Sequence, residues 1–107
     1  MKTYQGNRRS FTVNVTVNGR PLDPRLDLYN HGPTGFEWGY GGSGPAQLAL
    51  AILADHLNDD RQALNLYQHF KWIVVSTLPR RGWTLTSLQI NEALGCIQTG
   101  EVEGGML

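Results

Sequence analysis

A chain of 107 residues is one domain by length, since single cores are built from roughly 100 to 150 residues, and a large internal cavity would take up much of what so small a core can bury. Nine basic and nine acidic residues cancel overall, but residues 1–25 carry five basic groups against one acidic, and residues 26–107 four against eight; that footprint is too thin for a reader of phosphate backbones, so nucleic acid is not an expected partner. No apolar run approaches the roughly 20 residues that span a bilayer, MKTYQGNRRSFTV lacks the apolar stretch of a secretory signal, and Cys96 is the single cysteine, so the expected setting is the cytoplasm, without membrane contact.

Lys2–Gln5 reads as a short strand closed by a Gly6-Asn7 turn. Ser10–Val17 is the clearer strand, because Phe11, Val13, Val15 and Val17 alternate with Thr12, Asn14 and Thr16 at the period of two that puts one face inward. Asn18-Gly19 supplies a tight hairpin turn. The return through Arg20-Pro21-Leu22 belongs at a sheet edge, since Pro21 and Pro24 have no amide to donate. Leu26–Tyr29 is a candidate brief strand, His31–Gly35 a turn, and Phe36, Trp38 and Tyr40, alternating with Glu37 and Gly39, read as a last strand entering a glycine loop.

After the loop the period changes. Pro45–Leu57 is apolar almost throughout, which marks a central, buried helix; Ser43 or Gly44 is its expected N-cap, with Pro45 in the first turn. Asn58-Asp59-Asp60 breaks and restarts the helix. Ala63, Tyr67, Phe70 and Val74 then share a helical face. Trp72–Val75 is β-branched enough for a strand, but it continues that face, so helix is the preferred reading, with Pro79 as the stop. Arg80-Arg81-Gly82 reads as a turn, Trp83 and Leu85 as anchors, and Thr86 as the cap of a last short helix through Leu88, Ile90 and Leu94, ending at Gly95. Residues 99–107 have little to bury and read as a mobile tail. The fold expected over residues 1–98 is therefore α+β: a small antiparallel sheet of N-terminal strands and hairpin, a glycine loop, then two to three helices packed on one face.

Gly39-Tyr40-Gly41-Gly42-Ser43-Gly44 has the spacing of a dinucleotide fingerprint, but no parallel second strand follows carrying an acidic residue about 20 positions on. It also has the spacing of a phosphate loop, with Pro45-Ala46 where lysine and a hydroxyl are required. A serine elbow at Ser43 fails because Pro45 stands in place of glycine. What survives is physical: bare amides at a helix start favour an anion by a few tenths to about 1 kcal/mol from the dipole alone, and glycines permit close approach. The competing reading is structural, with the glycines present only to turn the chain sharply into a buried helix. The expected ligand contacts are Gly41, Gly42, Ser43, Gly44 and Ala46 for the amides, Trp38 and Tyr40 for stacking, Arg80 and Arg81 for charge, and Glu37 for a ribose hydroxyl, although a salt bridge to a strand arginine is the preferred role for Glu37. His31, His56 and His69 lack metal-site spacing, and Asp55, Asp59 and Asp60 suit a solvated helix junction better than paired acids. No metal, cofactor or catalytic residue is expected.

The run GFEWGYGGSGPAQLALAIL, followed by LYQHFKWIVVSTLP and WTLTSLQI, resembles an uncharacterised family of small domains from bacteria and their phages, over most of residues 4 to 94. The resemblance brings no activity or site residues. Its phage distribution implies one of two roles by analogy, sequestering a host signalling nucleotide or blocking a host protein, both in the host cytoplasm. The leading expectation is a non-enzymatic protein that receives an anionic small molecule, a nucleotide first among them, at the glycine loop. The alternative is an inhibitor or accessory protein that contacts a host protein through the Thr12, Asn14 and Thr16 face, the glycines being structural. A second copy of the chain could complete the pocket.

Overall fold

The structure is a computed structural model that describes residues 1–32 and 35–99. Four strands form one antiparallel sheet: β1 (Thr3–Arg9), β2 (Thr12–Val17), β3 (Arg20–Pro21) and β4 (Gly82–Thr86), in the order β3-β2-β1-β4. Three helices follow the hairpins or flank β4, namely α1 (Ser43–Leu57), α2 (Asp60–Ile73) and α3 (Ser87–Thr99), with a 3-10 turn at Val75–Thr77. The chain adopts the expected α+β class, but the fourth strand of its sheet, β4, lies between α2 and α3.

β1 does not stop at Gly6-Asn7 but runs through it, pairing Gly6 with Val15 on one side and Trp83 on the other. Gly6 is needed for close approach and not for a turn: a Cβ there would lie 2.4 Å from the Trp83 indole, so the glycine is the slot into which the ring fits. The turn comes later, at Ser10-Phe11, where Ser10 adopts a φ of 53°. Phe11 therefore leaves the buried face expected for it and stands fully exposed at the hairpin tip. Val15 is buried and Val13 and Val17 are partly so, as their alternation requires. Pro21 sits in the two-residue edge strand β3.

The strand expected at Phe36–Tyr40 is absent, and so is pairing at Leu26–Tyr29, which forms a turn with Leu28 N donating to Arg25 O. Gly39 breaks the extended run with a φ of 88°, a conformation open to glycine. The strand that completes the sheet is β4, whose Trp83 and Leu85 face inward and Thr84 outward.

α1 is buried on every side from Gly44 to Ala54. On one flank Tyr4 Oη donates to Asp55 Oδ2 at 2.6 Å; on another lies α2, with Ala63, Tyr67 and Phe70 buried. The break between them uses two different caps. Asn58 ends α1 in the left-handed conformation, while Asp59 begins α2 by accepting from Gln62 N at 3.1 Å. Trp72–Val75 is helical through Ile73 and then tightens. At the start of α3, Thr86 and Gln89 form a reciprocal capping box, and the helix continues through Gly95, past its expected end, to Thr99. The rest of the expected tail, and two residues of the His31–Gly35 turn, lie outside the described residues.

Candidate functional site

The glycine loop is closed by the protein's own side chains. A Cβ on Gly41 would meet the Trp72 ring at 2.3 Å, one on Gly42 the Tyr40 ring at 2.6 Å, and one on Gly44 the Glu37 Cβ at 2.7 Å and the Gly35 carbonyl at 3.2 Å. Each missing side chain is thus replaced by a neighbour's. Gly42, not Ser43 or Gly44, holds the N-cap position in extended backbone, and its lack of a side chain leaves the helix without a side-chain cap. Ala46 N is already committed to Gly42 O at 2.9 Å, so Ala46 offers no amide to a ligand, and Pro45 has none. The amides of Ser43 and Gly44 are the ones that the helix leaves without acceptors.

Trp38 also departs from its expected role. It is fully buried, its Nε1 donates to the carbonyls of Pro79 and Arg80 at 2.9 and 3.0 Å, and Trp83 meets it edge-on. Neither face is open to stack on a base. Tyr40 is half-exposed.

Glu37 pairs with a strand arginine. Arg8 Nη2 and Nη1 reach its two oxygens at 2.7 and 3.0 Å, a bidentate geometry, and these bonds hold the Glu37 carboxyl below its ordinary value and Arg8 above its own. Arg8 Nε donates to Arg80 O at 3.1 Å, and its guanidinium lies 4.8 Å from the Trp38 ring centre. One side chain therefore ties β1, the loop before α1 and the turn before β4 together. That turn packs against Trp38, whose Nε1 bonds to Pro79 O and Arg80 O.

At this corner lies an open cleft of about 300 Å³ lined by Arg8, Ser10, Arg80 and Arg81. The Arg8 charge is matched by Glu37. Arg80 and Arg81 are exposed and, among the described residues, have no hydrogen-bonded carboxylate, so they leave the cleft positive. None of residues 39–46 lines it. A second concavity of about 290 Å³, at Lys2, Asn18, Arg20 and Asp55, differs in that Lys2 and Asp55 neutralise one another at 3.0 Å.

Gln47 was not singled out by the sequence reading, yet it is the pivot of the loop before α1. It is buried, donates to Pro24 O and Tyr29 O at 2.7 and 3.0 Å, and accepts from His31 N at 2.9 Å. A lone amide in an otherwise apolar helix was the available signal. His31 Nε2 then meets Tyr67 Oη at 2.9 Å, its ring stacks near Tyr29, and burial, followed by the charge of Lys71, lowers its pKa from the ordinary value. His56 instead reaches Asn91. Among the described residues no three His, Cys, Asp or Glu are grouped to hold a metal ion, and no helix is long and apolar enough to cross a membrane.

The described residues form a small α+β domain with an arginine-lined cleft. The chain belongs to a family of unknown function, DUF6166, whose model matches residues 4–95. A search of the curated proteins and a search of the solved structures found no match.

Proposed function

We propose that the protein is a non-enzymatic binder of an anionic, phosphate-bearing small molecule, and that the ligand sits in the arginine cleft with the glycine loop as its scaffold. The observation that carries this reading is the exposed pair Arg80 and Arg81, neither hydrogen-bonded to a carboxylate among the described residues, beside Ser10 and Arg8 in the lining of an open cleft. Two exposed guanidinium groups with no hydrogen-bonded carboxylate favour an anionic ligand, and the planar N–H fork suits phosphate oxygens. Arg8, held by Glu37, positions the Arg80 backbone. A nucleotide fits this chemistry, and in the phage setting that the sequence resemblance implies, the protein would act in the host cytoplasm by withholding such a molecule.

The test is calorimetric titration of the purified protein with pyrophosphate and a nucleotide panel, together with analysis of any nucleotide released on denaturation. Saturable binding that weakens about tenfold in Arg81→Ala, equivalent to about 1.4 kcal/mol, and that falls as salt rises, is the expected result. No heat from any probe and no released nucleotide, with the protein folded, would sink the reading.

A further inference from the structure

β4 is an edge strand, and its register shows which of its backbone groups are in use. Arg8 N donates to Arg81 O at one end and Ser87 N to Lys2 O at the other. Opposed residues in an antiparallel ladder alternate between bonded and non-bonded pairs, so residues 81, 83, 85 and 87 bond to β1. Gly82, Thr84 and Thr86, opposite Asn7, Gln5 and Thr3, turn their N–H and C=O groups away from it. Thr86 N donates to Gln89 Oε1. Gly82 and Thr84 therefore present two donors and two acceptors along the rim, where among the described residues no further strand stands. The Thr84 side chain is exposed.

The opposite edge is blunted. β3 is two residues long, Pro21 has no amide to donate, and the Val15 carbonyl is already taken by Leu22 N. Short strands, proline and charge are how a sheet refuses a further strand. β4 runs for five residues with neither proline nor charge between Gly82 and Thr86.

Charge decides what kind of strand fits there. Residues 1–22 and 80–87, which hold all four strands, contain Lys2, Arg8, Arg9, Arg20, Arg80 and Arg81 and no acidic residue. Asp55 matches Lys2 and Glu37 matches Arg8. The other four arginines are exposed, with no hydrogen-bonded carboxylate among the described residues, and two of them, Arg80 and Arg81, immediately precede Gly82.

We infer that the β4 edge receives an extended, acidic segment of a partner protein, added antiparallel as a further strand. One residue of the partner exchanges both backbone bonds with Thr84, the residue two further on exchanges both with Gly82, and carboxylates beyond it meet Arg81 and Arg80. In this mode the backbone bonds supply affinity and the side chains selectivity; a lysine-rich segment is repelled by the same sheet. The inference goes beyond the small-molecule reading and does not rest on it, since Gly82 and Thr84 do not line the arginine cleft.

The experiment selects binders of the full chain from a random library of peptides about ten residues long and follows backbone hydrogen exchange in the 15N-labelled protein. Enriched peptides are expected to carry carboxylates toward their C-terminal end and to slow exchange at Gly82 and Thr84 at least about tenfold. Thr84→Pro removes one outward donor and no bond to β1, and should weaken binding at least about tenfold. Whether or not that variant folds, N-methylation of the peptide amides that face β4 should do the same, and methylation of the alternate amides should not. No enrichment, enriched peptides without an excess of carboxylates, binding that leaves Gly82 and Thr84 exchanging as in the free protein, or undiminished binding by a folded Thr84→Pro overturns the inference. Protection of the two amides that rises with protein concentration in the absence of peptide overturns it in favour of a second copy of the chain.

Discussion

The glycine loop and the arginine corner lie on adjacent parts of the molecule and use opposite devices. In the loop, Gly41, Gly42 and Gly44 are small so that Trp72, Tyr40 and Glu37 can occupy the space; at the corner, Arg80 and Arg81 are large and exposed and line a cleft. The loop resembles a ligand site in sequence and is packed like a core, whereas the corner resembles a turn and presents the open cleft. Glycine spacing reports where backbone must be approached closely, and the thing approaching can be the protein itself.

If the contrast is right, substitutions on the packed side should register as stability and those on the open side as binding. The largest loss is expected for Trp38→Ala, about 3–5 kcal/mol in chemical denaturation, because a fully buried ring and both of its carbonyl contacts go together. Gly44→Ala should cost about 1–3 kcal/mol by overpacking, since the Gly35 backbone is among the atoms that must move. Gly41→Ala should cost less, because the ring it meets is exposed and can swing; equal losses at the two glycines would break the distinction between them. Glu37→Gln should remove about 1 kcal/mol or less, as the pair is partly solvated, and it should also change the acid profile. The folded-state pKa of Glu37 lies below its ordinary 4.5, so its stabilisation is complete above that value and is lost as pH falls through the lowered one. That part of the acid slope should be missing in the variant. Arg81→Ala is expected to shift stability by no more than about 0.5 kcal/mol while weakening pyrophosphate binding; a stability loss as large as that of Gly44→Ala would place Arg81 in the packing and dissolve the comparison.

The same contrast explains what could be read from the residues alone. The period-two run of β2, the all-apolar α1 and the Ala63-Tyr67-Phe70 face were legible because burial there follows from a local pattern. Residues 36–40 showed the same alternation for a different reason: Trp38 turns inward to reach the carbonyls of Pro79 and Arg80, more than 40 positions away, without joining the sheet. β4 was missed because Arg80-Arg81-Gly82 masks its start, although Trp83-Thr84-Leu85-Thr86 alternates as β2 does. The bidentate partner of Glu37 was anticipated as a kind, a strand arginine. The cleft was not, because it depends on a strand order that places residue 8 beside residue 81.

That strand order also governs when the protein can assemble. β1 is a central strand, yet one of its two neighbours is β4, with Thr3 opposite Thr86 and Lys2 bonded to Ser87. On the ribosome, the β1–β2 hairpin, α1 and α2 emerge with one long edge of β1 unsatisfied and the Gly6 slot empty. The indole that fills the slot arrives only with residue 83. Pairing between segments so distant in the chain is slow to nucleate, so the sheet closes only once β4 has been made and reaches β1.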